Sequence, residues 1–437
     1  MQDLFSRLET LDSKTSTLPI DKIARSTSFA RRSPRKSEAR QWLRAICLLA
    51  ALPARSYRTL GWLLGLIEGG KHSKQNVGKR MHSGFERFLR DVLKAMAANL
   101  VGPSGHVDPA LKTFGRVIVQ DSTIIGLPAR LADRFPGAKN QTAKVAAGMR
   151  IQAFFDLVSE TCLAFSTSPF TRNDQKASAD VLDIARPGDL VIRDLGYSSL
   201  PVFQRLKEAG VYFLSRLKYG TLVFDGDGNP IDLLALLQRK GTLDMQVYIG
   251  TKARVPVRLV AVPVPETVAA ERRRKARLNR DRRTNPSQEH MRLLGWTILV
   301  TTVPSERLDS CVLVNTYALR WRIETLFKAW KSHFRFGSVP PYASSTFVCA
   351  LILAGLIHVA VFQCVFQALH SRDTTGLPHL SPLKLASIIQ NLAAIELQTI
   401  IDATDELKLL DMTLYHCRYD RRKRRNYYQV LENLSLG

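Results

Sequence analysis

GRVIVQDST, residues Gly115–Thr123, is a run of β-branched residues that stops on an aspartate. Such a run reads as a short buried strand, with Gly115 before it and the polar Ser122 and Thr123 after it. The construction recurs in DLVIRDLGY, Asp189–Tyr197, where Leu190–Arg193 lead into Asp194 after a Pro-Gly turn. Ligands of α/β sheets gather outside strand ends. If the two strands are neighbours, Asp121 and Asp194 converge. Either aspartate alone is read equally well as a cap of a turn or of the next helix.

Working outward, MRIQAFFDLVSE (Met149–Glu160) and CLAFSTSPF (Cys162–Phe170) read as further strands, and DQKASADVLDIA (Asp174–Ala185) as a helix. The order strand, strand, strand, helix, strand suits a central mixed sheet flanked by helices. VYFLSRLK, MQVYIG, VPVRLVAVPV and WTILVTTV, between residues 211 and 303, supply more strands. Before the sheet, EARQWLRAICLLAAL and GFERFLRDVLKAMAANLV carry apolar residues at helical spacing, and VGPSGHVDP reads as a linker. No internal repeat is visible.

The chain has 437 residues, enough for about two or three domains. At 45% hydrophobic it can bury a sizeable core. Its net charge of +25, from 63 Lys and Arg against 38 Asp and Glu, argues against an ordinary metabolic enzyme and for a polyanionic partner, nucleic acid first. The basic residues cluster at Arg31–Lys36, Lys71–Arg80 (with Lys74, Lys79 and Arg80), Glu271–Arg283 (with Arg273 and Arg274) and Arg418–Tyr428. Each would add salt-dependent affinity for a phosphate backbone. The six cysteines form no Cys-x-x-Cys pair, which suits a reducing compartment without structural zinc. The N-terminal twenty residues lack the apolar core of a signal peptide. The apolar run Phe347–Phe366 approaches membrane-span length, but His358 and Gln363 interrupt it; a buried helix is expected and no membrane partner.

YALRWRIETLFKAWK, Tyr317–Lys331, completes the pattern. Treated as one helix, it gathers Tyr317, Arg320, Glu324 and Lys331 within an arc of roughly 60°. Leu319, Ile323, Leu326 and Trp330 form an adjacent apolar stripe. An Arg320–Glu324 ion pair is the plain reading of this spacing. Taken with Asp121 and Asp194, the glutamate suggests a chemical alternative. Three carboxylates can hold two divalent cations that activate a water or a 3′-hydroxyl against a phosphodiester, and oxygen-preferring magnesium suits them.

These residues resemble the insertion-sequence transposases of the Asp-Asp-Glu class, in the subgroup with the motif Tyr-x2-Arg-x3-Glu-x6-Lys. Tyr317, Arg320, Glu324 and Lys331 stand at that spacing, and QDST and RDLGY look like the two aspartate segments. The resemblance covers about residues 110–340. It implies an α/β fold with an RNase H-like catalytic core, split into 110–204 and 304–370 by a mostly β insertion at 205–303. Helical regions flank it, an N-terminal DNA-binding one at 1–105 and a basic C-terminal one at 371–437. The 130 residues between Asp194 and Glu324 leave room for the insertion.

The resemblance further implies cut-and-paste movement of DNA through a hairpin intermediate. Asp121, Asp194 and Glu324 would be the catalytic ligands of two magnesium ions, which manganese can replace. Tyr317, Arg320 and Lys331 would hold phosphates, with Lys328 as a further backbone contact. Trp296 looks like the insertion tryptophan that stacks on a flipped base, although a buried strand tryptophan is its plain alternative. The tryptophans of the motif helix are assigned to packing. Transposon-end DNA, target DNA and a second copy of the chain are the implied partners, and the bacterial cytoplasm, at the nucleoid, the implied location. An RNase H-like endonuclease without strand joining would present the same residues; an inactive DNA-binding derivative is the other alternative, which loss of one of the three carboxylates would favour, and all three are present.

Overall fold

The computed structural model describes residues 18–30, 38–99, 111–138, 146–278, 286–370, 382–389 and 392–417. Arg31–Lys36, the linker at 101–109, the end of the 271–283 basic stretch and Arg418–Tyr428 fall wholly or mainly outside these. The chain divides into two compact units: residues 1–96, 332–361 and 385–437 form one, and 97–331 with 362–384 the other.

The first unit is helical. It contains α1 (Ile20–Ser26), α2 (Ala39–Ala51), α3 (Tyr57–Glu68), α4 (Lys74–Arg80) and most of α5 (Ser83–Asn99). Its core is aromatic: Phe29 stacks on Phe88 at 5.0 Å and meets Phe85 at 4.7 Å, with Trp42 edge-on to Phe85 at 5.9 Å. Ser56 and Ser73 cap α3 and α4 by accepting from Thr59 and Asn76 backbone N–H groups. Arg55, nearly buried, donates to the carbonyls of Arg335 and Ser338 and ties this bundle to the chain that returns to it after the sheet domain.

The second unit is built on one nine-stranded sheet. In chain order its strands are β1 (Val117–Leu127), β2 (Ala147–Asp156), β3 (Thr161–Pro169), β4 (Leu190–Arg193), β5 (Tyr212–Arg216), β6 (Val223–Phe224), β7 (Leu243–Ile249), β8 (Val255–Pro263) and β9 (Trp296–Thr301). Across the sheet they lie β3-β2-β1-β4-β5-β9-β8-β7-β6. The first three are mutually antiparallel, and β4 and β5 run parallel to β1. This 3-2-1-4-5 order is that of the RNase H-like core the resemblance implied, although β5 lies past residue 204, in the span expected for the insertion. The remaining strands do not form a separate sheet, because β9 pairs antiparallel with β5 and carries β8, β7 and β6 with it.

Side chains alternate across the sheet, so its two faces bury different partners. One face presents Ile118, Val191 and Phe213 to α6 (Leu200–Glu208), where Phe203 stacks on Phe213 at 4.4 Å. The insertion adds α7 (Leu233–Lys240), α8 (Glu266–Arg277) and α9 (Gln288–Leu293). Then come α10 (Ser310–Ala318) and α11 (Trp321–His333). On the opposite face Trp330 of α11 packs on Phe165 of β3 at 5.8 Å and on Phe327 at 5.0 Å.

Three readings need correction. Asp174–Ala185 is not an α-helix; only a 3-10 turn forms, at Ser178–Asp183. The Ala177 carbonyl accepts from the Gln120 side chain (2.9 Å) and, in a 3-10 bond, from Asp180 N–H (3.1 Å), while the Ser178 carbonyl accepts from the Arg193 guanidinium (2.7 Å). Second, Tyr317–Lys331 is not one helix: bonds from Leu319 to Thr316 and from Arg320 to Tyr317 close a tight turn between α10 and α11. Leu319 is consequently 41% exposed rather than part of the buried stripe, while Ile323, Leu326 and Trp330 are buried as expected. Third, β1 continues six residues past Asp121 instead of ending there.

The apolar run lies in α12 (Ser345–His370), and 78% of its most apolar window is buried inside the protein. Three shorter helices, α13 (Pro382–Ile389), α14 (Leu392–Asp402) and α15 (Glu406–Cys417), follow.

Candidate active site

The parallel pairing of β1 with β4 runs through Gln120↔Arg193, where β4 stops. The next residue on each strand is an aspartate. Asp121 and Asp194 therefore occupy equivalent positions on adjacent strands, about 4.8 Å apart in strand spacing, and share the face opposite Gln120 and Arg193. Beyond this point β1 keeps only β2 as its partner, and Asp194 turns into a 3-10 segment, Leu195–Tyr197. The end of β4 thus opens space above two carboxylates.

The third carboxylate arrives on α11. The turn before that helix sets Arg320 so that its Nη1 donates to Glu324 Oε1 at 2.8 Å while its Nε lies 3.8 Å from Asp194 Oδ1. Arg320 is largely buried, whereas Asp194 and Glu324 are about two-fifths exposed (41% and 36%). Burial opposes the charge of Arg320, but Asp194, Tyr317 and Glu324 hold its pKa above the ordinary value.

Asp121 titrates at about 7. Burial is the main cause; the Ser122 N–H (2.7 Å) and Arg320 pull the value down, and the charges of Asp194 and Glu324 push it up. Asp121 therefore senses both other carboxylates and the arginine between them.

This value gives a stability prediction. An aspartate raised from 3.8 to about 7 contributes stability that is fully present below pH 4 and lost as pH rises through 7. In metal-free protein, Asp121→Asn is expected to melt above the parent by a margin that widens between about pH 4 and 7 and is constant above. Screening at this partly exposed site limits the gain to about 1–3 kcal/mol. Melting curves in chelator at several pH values measure it, and a margin independent of pH would refute the assignment.

The donor set fits divalent cations. All three groups are hard oxygen donors, and their excess negative charge is met by one guanidinium. Among the described residues no three acidic, histidine or cysteine side chains already close around one point. Arg320 stands between Asp194 and Glu324.

Around this centre Tyr317 is mostly buried, its hydroxyl lacks a hydrogen-bond partner, and burial, then Asp194, pushes it up to about 12. Lys328 and Lys331 are exposed on α11. The two tryptophans of this helix differ: Trp330 is buried, but Trp321 is 64% exposed, with the Arg320 guanidinium 5.5 Å from its ring centre. Packing therefore accounts for Trp330 and not for Trp321. Trp296 begins β9, half-buried, and its indole N–H donates to the Gly241 carbonyl at 2.8 Å.

Arg273 and Arg274, on α8, pair with Glu266 and Glu271. Lys74, Lys79 and Arg80 belong to α4 of the helical unit, where Arg80 lies over the Phe29 ring.

A polar network behind the aspartates was not read from sequence. Asp174 Oδ1 accepts from Ser122 Oγ (2.7 Å) and Arg150 Nη1 (2.9 Å), and Tyr197 Oη donates to Gln152 Oε1 (2.6 Å). It ties the residue after Asp121 to β2 and holds the segment after Asp194. Arg150 and Gln152 alternate with Ile151 and Ala153, a period-two polar signal that marked a second buried polar face.

Residues 112–360 match the family described as Transposase DDE domain. The transposase for insertion sequence element IS231E of Bacillus thuringiensis subsp. finitimus is 26% identical over 437 residues, covering 94% of this chain and 90% of that protein. The transposase for IS231C of B. thuringiensis subsp. berliner is 31% identical over 342 residues, 72% of this chain and 70% of that protein. The transposase for IS1151 of Clostridium perfringens is 24% identical over 304 residues, 64% and 63% of the two chains.

Proposed function

Because this chain belongs to the DDE transposases of bacterial insertion sequences, a DNA-cutting and DNA-joining enzyme family, we propose that it cleaves the ends of its element and joins the freed 3′-ends to target DNA, with Asp121, Asp194 and Glu324 as catalytic residues. The observation that carries the assignment is the pairing register: two aspartates side by side where β4 ends, with Arg320 linking the second to Glu324.

The three carboxylates would hold two divalent cations, magnesium or manganese, which supply activation of the attacking oxygen and stabilisation of the leaving one. The chain's own residues do the positioning. Arg320, released from Asp194, would turn its fork onto a phosphate beside the cut, with Lys331 and Lys328 following the strand along α11. The unpartnered Tyr317 hydroxyl would donate to a phosphate oxygen. Trp321 and Trp296 are the aromatic candidates for stacking on an unpaired base, and Trp321 is the more exposed. Hydrolysis leaves a 3′-hydroxyl, which attacks the opposite strand to give a hairpin; reopening it frees the end for joining. Lys74, Lys79, Arg80, Arg273 and Arg274 would track the backbone further out. A second copy of the chain would hold the second end, and nucleoid DNA in the cytoplasm would be the target.

Incubating the protein with its element's end DNA and magnesium, then with pre-cleaved ends and a target plasmid, tests this reading. Nicks, hairpins and joined products are expected; nicks without joining would instead favour a plain endonuclease. Lys331→Ala and Arg320→Ala are each expected to lower the slope of log affinity against log salt by about one. Unaltered slopes would remove these residues from the phosphate contacts.

A further inference from the structure

Arg216 ends β5 one step past the Arg193↔Ser215 pair, so it continues the row that holds Asp121 and Asp194, on the same face. Its cross-strand partner on β9 is Leu299. Two residues away on that face, Thr297 Oγ1 accepts from Arg272 Nη2 at 3.0 Å, while Arg272 Nη1 donates to the Trp296 carbonyl at 3.0 Å. Arg272 is thus braced against the sheet beside Arg216. Burial, then the charge of Arg216, lowers its pKa.

Among the described residues no carboxylate pairs with either guanidinium, although Arg116, Arg150, Arg172, Arg258 and Arg273 all have acidic partners. Two like charges side by side, neither closed into an ion pair among the described residues, leave donors that an anion can take. Tyr317, whose hydroxyl has no partner, also senses the Arg216 charge.

We propose that Arg216 and Arg272 form a clamp for one phosphate of the transposon-end strand next to the scissile linkage, on the insertion side of Asp194. The clamp rests on the strand-cleavage reading above. It assigns the β insertion a direct part in the catalytic pocket: β9 and α8 deliver a second guanidinium that the five core strands lack.

The test uses full-length protein and duplexes carrying the element's own terminal repeat, with a single uncharged methylphosphonate placed in turn at each linkage around the cut. Wild-type binding is expected to fall about tenfold at one linkage beside the scissile one. Arg216→Ala is expected to bind unmodified DNA about tenfold more weakly, to show no further loss at that linkage, and to lose about one from the salt slope. Arg216→Lys should keep the slope while recovering only part of the affinity, because it lacks the fork. Arg216→Gln decides the matter if the alanine variant melts early. A variant that keeps the full slope and the full methylphosphonate loss would overturn the clamp while leaving the cleavage reading intact. A wild-type protein that neither binds nor cuts its own ends would overturn both.

Discussion

Glu324→Gln is expected to abolish strand cleavage, by at least about 10³-fold, while end binding stays within about threefold of the parent. The substitution preserves size and removes the charge. Glu324 stands 36% exposed at the start of α11 and pairs with Arg320 at 2.8 Å; when its charge is lost, the largely buried Arg320 keeps Asp194 at 3.8 Å, and the isosteric amide leaves no cavity. The phosphate contacts proposed for Lys328 and Lys331, on the same helix, would be untouched. Gel shifts in calcium and nicking assays in magnesium separate the two effects. Nicking at the parent rate would show that Glu324 is merely an ion-pair partner, the plain reading of its spacing.

Trp330→Ala carries the second largest effect, on the fold. Trp330 is the largest fully buried side chain among the described residues, wedged between Phe165 and Phe327. Removing it is expected to cost about 3–5 kcal/mol, a large share of a typical domain's stability. The melting temperature should drop by on the order of 10 °C. Its indole N–H has no hydrogen-bond partner, so Trp330→Phe should lose far less. Since this tryptophan pins the helix bearing Glu324 to the sheet, the alanine variant should also lose cleavage below its melting point. Equal stability of the alanine and parent proteins in denaturant titrations would contradict the packing.

The strands of the core were legible because β-branched runs bounded by polar turns have few other uses, and RVIVQD and LVIRD each mark a strand and a carboxylate at once. The order across the sheet was implied only through family resemblance. Local periodicity misled in two places. At Asp174–Ala185 the apolar spacing is helical, yet Gln120 and Arg193, distant in sequence, donate to the Ala177 and Ser178 carbonyls, and only a 3-10 turn forms. At Leu319–Arg320 the helical pattern continues unbroken through a turn that the backbone closes. Arg216 was invisible for another reason: within VYFLSRLK it is an ordinary strand-end cation, and its meaning comes from register with Asp194. Asp174 likewise acquires its role only through partners on two other strands.

The strand that runs on past Asp121 has one more consequence. Asp121 is locked into a ladder with β2, and moving its backbone would unzip that pairing. Asp194 sits where a strand gives way to a turn, and Glu324 rides on a helix that begins just after another turn. On the proposed reading the cluster would work as a vice with one fixed jaw and two adjustable ones, meeting successive reaction geometries by shifting Asp194 and Glu324 against an immovable reference.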